Sequence, residues 1–146
     1  MERLKAKIAG IKKYRTATIS GLNDGEKTLL PYFFGGKNLI VVSNRDAMDN
    51  YILNLQALGQ KVVSFSGKLP QIISFAEKSS QSFKEFCNNL RTLGTGEFDC
   101  AIVTADFLFQ KLPNKEYVLG HILKLKKGQD IEIDFLVKQL CKMGYV

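Results

Sequence analysis

Three short apolar runs constrain the fold of this chain more than any other feature. The run Leu39–Val42 contains no alternating polar residues, which is typical of a strand that is covered on both faces. Val62–Phe65 and Cys100–Val103 are predicted to be the next strands. Helical patterns lie between the runs, and strands that alternate with helices form mainly parallel sheets. We therefore predict an α/β fold in which helices flank a mainly parallel sheet.

Several helices are predicted around these strands. Apolar residues at helical spacing, capping residues and stop signals define them. The predicted helices are residues 2–13 with Leu4, Ile8 and Ile11 on one face, Glu26–Phe34 ended by Gly35 and Gly36, Asp46–Leu58, a turn or two after Pro70, a helix opened by a capping box at Ser82–Glu85, and a short helix capped by Thr104 and stopped by Pro113. The β-forming segment Thr16–Ile19 is predicted to be a strand before the second helix.

The last third of the chain changes in character. Residues Ile122–Lys126 alternate between apolar and basic side chains, which indicates a half-exposed strand. Ile133–Met143 carries a strong helical stripe with Gly144 as the C-cap, and residues 145–146 resemble the start of another strand. We predict a P-loop-NTPase-like α/β domain over residues 1–115, and the beginning of a second, small α+β domain over residues 116–146, at which the chain stops early.

Composition narrows the possible classes of protein. The chain has 146 residues, of which 45% are hydrophobic, so it can bury a sizeable core. It has no apolar run of membrane-spanning length and no signal peptide, so we expect a cytoplasmic protein without a membrane partner. Cys87, Cys100 and Cys141 lack metal-ligand spacing and are expected to be buried and reduced. His121 is expected to be structural, and no metal site is expected.

Positive charge is concentrated in two segments. The net charge is +7. The basic residues are Arg3, Lys5, Lys7, Lys12, Lys13 and Arg15 near the N-terminus, and Lys124, Lys126 and Lys127 near the C-terminus. Such a surface can attract nucleic acid, but solvated lysines on helix faces are common. The sequence leaves both interpretations open and favours the second.

The segment Gly21–Thr28 differs by one residue from a phosphate-binding loop. The motif requires glycine, four free residues, glycine, lysine, and serine or threonine. Gly21, Lys27 and Thr28 are in register, but Glu26 replaces the second glycine. In a working loop, N–H groups at a helix N-terminus bind phosphate, the lysine supplies positive charge, and the hydroxyl binds magnesium. The degenerate loop comprises Gly21, Gly25, Glu26, Lys27 and Thr28.

Glu26 is chemically the wrong residue for this loop. Its side chain and negative charge occupy the space of a phosphate, and Asp24 adds negative charge nearby. The carboxylate is expected to bind N–H groups of the first helical turn. Three interpretations stay open: an ordinary strand–turn–helix junction with a chance Lys-Thr pair, a relic of an ATP loop, and a working site. The residues favour the first, and we expect no nucleotide-binding residue and no cofactor.

Other catalytic arrangements are not evident in the sequence. The segment Ala101–Asp106 is similar to an apolar strand that ends in a magnesium-binding aspartate, but Phe107 stands where a second acidic residue is expected. A helix-capping role is favoured for this junction. One histidine and scattered acidic residues do not form a nucleophile–base set or a carboxylate pair. We therefore expect the chain not to be an enzyme.

Five segments resemble one protein family in their order and spacing. They are Thr18–Thr28, Asn38–Asn44, Phe98–Pro113, Leu125–Gln129 and Leu136–Tyr145. Together they resemble the N-terminal region of the bacterial transcription-repair coupling factor, over nearly the whole chain from about residue 14. That region is itself similar to the start of the excinuclease protein UvrB.

Two departures separate these relatives. UvrB has an intact phosphate loop and a Tyr-rich hairpin that grips damaged DNA, whereas this chain has Glu26 and no such insertion between Phe65 and Phe83. Both departures match the coupling factor, whose N-terminal module is understood as an ATPase-like domain that lost nucleotide binding. The alternative is an ATP-binding domain of a UvrB-like or helicase-like DNA repair protein.

The resemblance implies a non-catalytic scaffold or interaction module in transcription-coupled nucleotide excision repair. The parent protein would be an ATP-dependent DNA translocase that acts on RNA polymerase, the excinuclease protein UvrA and DNA. This segment would contact neighbouring domains of the parent. The surface for UvrA would belong to the second domain, which the chain barely enters after Gly120.

Overall fold

The computed structural model of the chain describes residues 15–67 and 81–143, together with residues 8, 10 and 11. The chain divides into two compact units, Met1–Lys111 and Leu112–Val146. The units divide between Lys111 and Leu112, and the predicted domains 1–115 and 116–146 stay a prediction. The nature of the second unit as the start of an α+β domain stays a prediction.

A three-stranded parallel sheet forms the centre of the first unit. Its strands are β1 (Asn38–Val42), β2 (Val62–Phe65) and β3 (Cys100–Thr104), in the spatial order β1-β3-β2. Ile102 of β3 is in register with Ile40 of β1 and with Ser64 of β2. The three predicted strands and the α/β class with a parallel sheet are confirmed.

Three helices of the first unit accompany the sheet: α1 (Asp24–Phe34), α2 (Arg45–Ala57) and α3 (Gln81–Thr95). The chain crosses from β1 past β3 to β2 and then returns to β3. Because parallel connections are right-handed, these opposite directions place α2 and α3 on opposite faces of the sheet. Helix α2 contacts all three strands and α3 contacts β2. The predicted second, third and fifth helices are confirmed, and Gly35, with a φ of 67°, follows the end of α1.

The main core lies between the sheet and α2. It consists of Val42, Met48, Leu55, Cys100 and Ile102, all of which are less than 10% exposed. Met48 and Leu55 are seven residues apart, so they lie on the same face of α2 two turns apart. This pair follows the helical stripe predicted for residues 46–58. This packing fixes the position of α2 along the direction of the strands.

The other face of the sheet is covered unevenly. Phe65 stacks on Phe107 with ring centroids 5.2 Å apart and meets Phe86 of α3 edge-on at 5.9 Å. At the opposite end, Leu39 and Val41 of the edge strand β1 are 62% and 49% exposed. The prediction that β1 is covered on both faces is therefore wrong, because α3 packs at the β2 side of the sheet. The central strand β3 is buried throughout.

Other predictions require correction. Thr16–Ile19 and Ile122–Lys126 are not strands. Their residues favour β structure, but neither segment has a neighbouring strand within the described residues. Thr104 is not a cap, because it is the last residue of β3. Asp106 instead caps a short 3-10 turn at Phe107–Phe109, where a longer helix was expected.

The capping box at Ser82 is also wrong, since Ser82 lies inside α3 and the Glu85 carboxylate accepts a hydrogen bond from the Gln81 amide at 2.9 Å. Most of the predicted helix 2–13, the turns after Pro70, the Gly144 cap and the strand at 145–146 lie outside the described residues. Residues 8, 10 and 11 are helical.

The second unit contains two helices among its described residues. Helix α4 (Lys115–Gly120) is capped by Asn114 and was not predicted. Helix α5 (Ile133–Lys142) confirms the helix expected at Ile133–Met143. None of the helices in the described part of the chain has both the length and the apolar character that crossing a bilayer requires.

Candidate functional site

The degenerate loop folds as a helix start that no strand precedes within the described residues. Residues 15–22 have no regular secondary structure and are mostly exposed. Gly21 has a φ of 76°, and α1 begins two residues after Leu22 with Asn23 as its N-cap. A phosphate-binding loop normally connects a sheet strand to a helix. Of that arrangement the described residues therefore contain the helix and not the strand.

A reciprocal capping box closes the start of α1. The Asn23 side chain accepts a hydrogen bond from the Glu26 N–H at 2.8 Å, and the Glu26 carboxylate accepts one from the Asn23 N–H at 3.0 Å. This arrangement satisfies two backbone donors that the helix itself leaves unpaired. The sequence predicts that the Glu26 carboxylate binds N–H groups of the first turn. The structure places it on the N–H of the N-cap residue.

The lysine of the loop is paired with its own turn. Lys27 Nζ lies 2.9 Å from Asp24 Oδ1, and the two side chains are 52% and 97% exposed. An exposed pair of this kind contributes little stability. The pair matters for phosphate binding instead. The Lys27 ammonium group, which would meet a phosphate in a working loop, lies beside the carboxylate of Asp24. Burial raises the pKa of the neighbouring Tyr51 hydroxyl. The positive charge of Lys27 lowers this pKa, and the negative charge of Asp24 raises it.

The threonine of the loop points into the protein. Thr28 is 4% exposed. Its hydroxyl donates to the Gly25 carbonyl at 2.8 Å and accepts from Asn54 Nδ2 of α2 at 3.0 Å. The hydroxyl that would bind magnesium in a working loop thus connects α1 to α2. Asn54 was missed from the sequence, because no local pattern indicates which residue of a second helix will meet Thr28.

The loop residues therefore come together without forming an open anion site. Gly21 begins the turn and Gly25 lies in the first turn of α1. Glu26, Lys27 and Thr28 each use their polar side-chain group in a contact within the protein.

The second candidate, at the end of β3, is also a cap. Asp106 Oδ1 accepts a hydrogen bond from the Phe107 N–H at 3.0 Å. This confirms the capping role that was favoured for the junction. One nearby group is unusual: the Thr104 hydroxyl is buried and has no hydrogen-bond partner among the described residues.

The cysteines and the histidine lie apart from one another. Cys100 is buried as predicted, but Cys87 and Cys141 are exposed, so the prediction of three buried thiols is wrong for two of them. Cys87 lies on the solvent-exposed side of α3, and Cys141 lies on the solvent-exposed side of α5. Partial burial raises the pKa of the Cys87 thiol. His121 stacks on Tyr117 with ring centroids 4.0 Å apart, and its Nδ1 lies 2.7 Å from the Tyr117 carbonyl oxygen. Among the described residues, no group of three His, Cys, Asp or Glu could hold a metal ion.

Comparison with known proteins identifies no relative. No protein-family model matches the chain, and searches of curated proteins and of solved structures found no significant match. Any family assignment therefore depends on the five sequence segments described above.

Proposed function

We propose that this chain is a non-catalytic α/β interaction module whose loop Gly21–Thr28 stabilises a helix instead of binding a nucleotide. The observation that carries the proposal is the capping box between Asn23 and Glu26. A carboxylate of the protein already binds at the helix N-terminus, which is the place a phosphate would need. The site is thus satisfied by the chain itself.

Electrostatics supports the same conclusion. A phosphate approaching the start of α1 would meet the carboxylates of Asp24 and Glu26, whereas Lys27 supplies one positive charge that Asp24 already neutralises. Binding of magnesium by the Thr28 hydroxyl would also compete with its hydrogen bond from Asn54, whose exposed amide additionally donates to the Asn50 carbonyl. Nucleotide binding would need to offset all of these terms.

The resemblance described above supplies a biological setting for the module. We propose that it acts as a scaffold in a transcription-repair coupling factor, within a parent protein that uses ATP in other domains. RNA polymerase, the excinuclease protein UvrA and DNA would be partners of the parent in nucleotide excision repair. The module would act in the cytoplasm through contacts with neighbouring domains.

The rival function is nucleotide binding by a UvrB-like or helicase-like domain. It is favoured by the register of Gly21, Lys27 and Thr28. Titration of a fluorescent ATP analogue with magnesium into the full chain distinguishes the two functions, and Lys27→Ala is the matched variant. We expect no saturable binding by either protein. Micromolar binding that is lost in Lys27→Ala would refute the proposed function.

A further inference from the structure

The outer side of β1 presents backbone groups that have no partner strand. Within the described residues β1 has a neighbouring strand on one side only, which is β3. The Asn38 N–H and the Val42 carbonyl both form hydrogen bonds with residues that flank β3, at 2.9 Å. Because alternate residues of a strand direct their N–H and C=O groups to opposite sides, those of Leu39 and Val41 point away from β3. We call this side of the strand the β1 edge.

The side chains at the β1 edge are apolar and open to solvent. Leu39 and Val41 are 62% and 49% exposed. They alternate with Ile40 and Val42, which pack on the α2 side of the sheet, so they lie on the other face from α2 and from α1, which is bonded to α2. The strand contains no charged residue and no proline, which are common means of preventing an edge strand from pairing. These properties are typical of an edge that binds another strand.

The opposite edge of the sheet, at β2, is already partly occupied. The Cys100 N–H donates to the Lys61 carbonyl, so Val62 and Ser64, which alternate with the residues that face β3, direct their backbone groups outward. The Ser64 carbonyl accepts a hydrogen bond from Asn89 Nδ2 of α3 at 2.9 Å. A strand that approached β2 would have to displace this bond. The two edges therefore differ, and pairing of one β1 edge with a second β1 edge is favoured over pairing of β1 with β2.

We propose that the β1 edges of two copies of the chain pair antiparallel, about a two-fold axis that passes through Ile40 perpendicular to the sheet. In this register Leu39 of each copy lies opposite Val41 of the other, and each such pair exchanges two N–H···O=C hydrogen bonds. The exposed apolar side chains also cover one another, and cross-strand pairs of this kind stabilise sheets. A register centred on Leu39 or on Val41 would instead set an apolar residue against Lys37 or Ser43.

The charges that flank β1 are compatible with this register. Lys37 would lie opposite Ser43 of the second copy, and its ammonium group lies 5.1 Å from the ring centroid of Phe98 in its own chain. Arg45 begins α2 and so leaves the strand. The net charge of +7 repels the copies, but exposed charges more than about 8 Å apart are largely screened at physiological salt. The inference goes beyond the proposed function and does not depend on it.

Sedimentation equilibrium and hydrogen exchange of the full chain test the proposal. Sedimentation is measured at physiological salt over about 10–500 µM, the concentration range in which weak complexes dissociate. We expect an equilibrium between monomer and dimer. Hydrogen exchange followed by NMR locates the interface. The amides of Leu39 and Val41 should exchange more slowly as the protein concentration rises, whereas the amide of Ile40, which already faces β3, should not change.

Two leucine-to-lysine variants supply a matched comparison. Leu39 and Leu53 are similarly exposed, at 62% and 67%, but Leu53 lies on α2. Leu39→Lys should raise the dissociation constant of the dimer about tenfold, because both symmetric apolar pairs are lost. Leu53→Lys adds the same charge outside the β1 edge and should dimerise like the wild type. Circular dichroism verifies that both variants are folded.

Four outcomes would overturn the proposal. They are the absence of a dimer over the whole concentration range, equal weakening by the two variants, a dimer that Leu39→Lys leaves unchanged, and a dimer in which the Leu39 and Val41 amides are not protected. Slow exchange of these amides at every concentration would also overturn it, because a segment of the same chain, such as Thr16–Ile19, would then occupy the edge. None of these results changes the ATP titration. A failure of this inference is therefore distinguishable from a failure of the proposed function.

Discussion

Replacing Glu26 with glycine restores the residue that a phosphate-binding loop has at this position, yet we expect the change to weaken the fold without creating a nucleotide site. Glu26→Gly removes the carboxylate that accepts from the Asn23 N–H at 3.0 Å. It leaves Asp24 beside Lys27, and it leaves the Thr28 hydroxyl bonded to Asn54. The remaining groups therefore still lack the arrangement that binds phosphate and magnesium.

Three terms give the size of the destabilisation. Loss of the Asn23–Glu26 hydrogen bond costs about 0.5–1.5 kcal/mol. Glycine in place of glutamate in a helix costs about 0.5–1 kcal/mol. Loss of a negative charge from the helix N-terminus costs about 0.3–1 kcal/mol. The three costs add to give the total destabilisation. Because Asn23 is exposed and its N–H can return to water, we expect a total in the lower half of the summed range, about 2 kcal/mol.

Equilibrium urea unfolding followed by circular dichroism measures the change. Glu26→Gln is the matched control, because glutamine keeps an acceptor for the capping box and removes the charge alone. We expect it to cost less than about 1 kcal/mol. Titration of both variants with magnesium and fluorescent ATP completes the experiment.

Two results would refute this reasoning. Equal stability of Glu26→Gly and the wild type would mean that the capping box does not stabilise α1. Micromolar ATP binding, or measurable phosphate release, by Glu26→Gly would mean that one side chain alone blocks a working site. In that case Asp106, which here caps a 3-10 turn, would need to be considered again as a magnesium ligand.

The core allows three further predictions, each read from unfolding experiments. Thr104→Val should raise the free energy of unfolding by about 1 kcal/mol, because the buried hydroxyl lacks a partner among the described residues and valine has nearly the same shape; a loss of stability would reveal a hidden partner. Phe107→Ala should lower it by about 3–4 kcal/mol, since the ring is 4% exposed and stacks on Phe65; a loss below 1 kcal/mol would contradict the described packing. Burial, and then the carboxylate of Asp99, raise the pKa of the Cys100 thiol, while a hydrogen bond from Asn38 lowers it. The folded state thus holds this proton more tightly, so stability should be constant below the ordinary thiol pKa and fall as the pH rises above it. In Cys100→Ala the free energy of unfolding should fall less steeply as the pH rises. An unchanged slope would show that the Cys100 thiol does not cause the fall.

The strands could be predicted because their signal is local. Val62–Phe65 and Cys100–Thr104 lie on buried parts of the sheet, so their composition already reflects the surroundings of the fold. Helix α2 was similarly evident from the spacing of Met48 and Leu55. The open face of β1 was not, because Leu39–Val42 has the same composition whether or not a helix covers it.

Pairing between distant segments could not be predicted. Thr16–Ile19 and Ile122–Lys126 contain residues that favour strands, but a strand needs a neighbour for its hydrogen bonds, and no local pattern tells whether one is present. The hydrogen bond from Asn54 to Thr28 joins residues 26 positions apart and has no sequence signal. The capping box was different, because Asn23 and Glu26 have the spacing of that motif and could have been recognised.

The strand order has a consequence for the time at which the sheet can form during synthesis. The strands β1 and β2 do not touch each other, since β3 lies between them and supplies the pairing of both. A growing chain that has reached residue 99 therefore holds the two apolar segments 38–42 and 62–65 without the strand that pairs with both. Ribosomes add about 5–20 residues per second, so these segments stay without their pairing partner for several seconds. During that interval a chaperone can bind the nascent chain, and the sheet can form only after Cys100–Thr104 has been added.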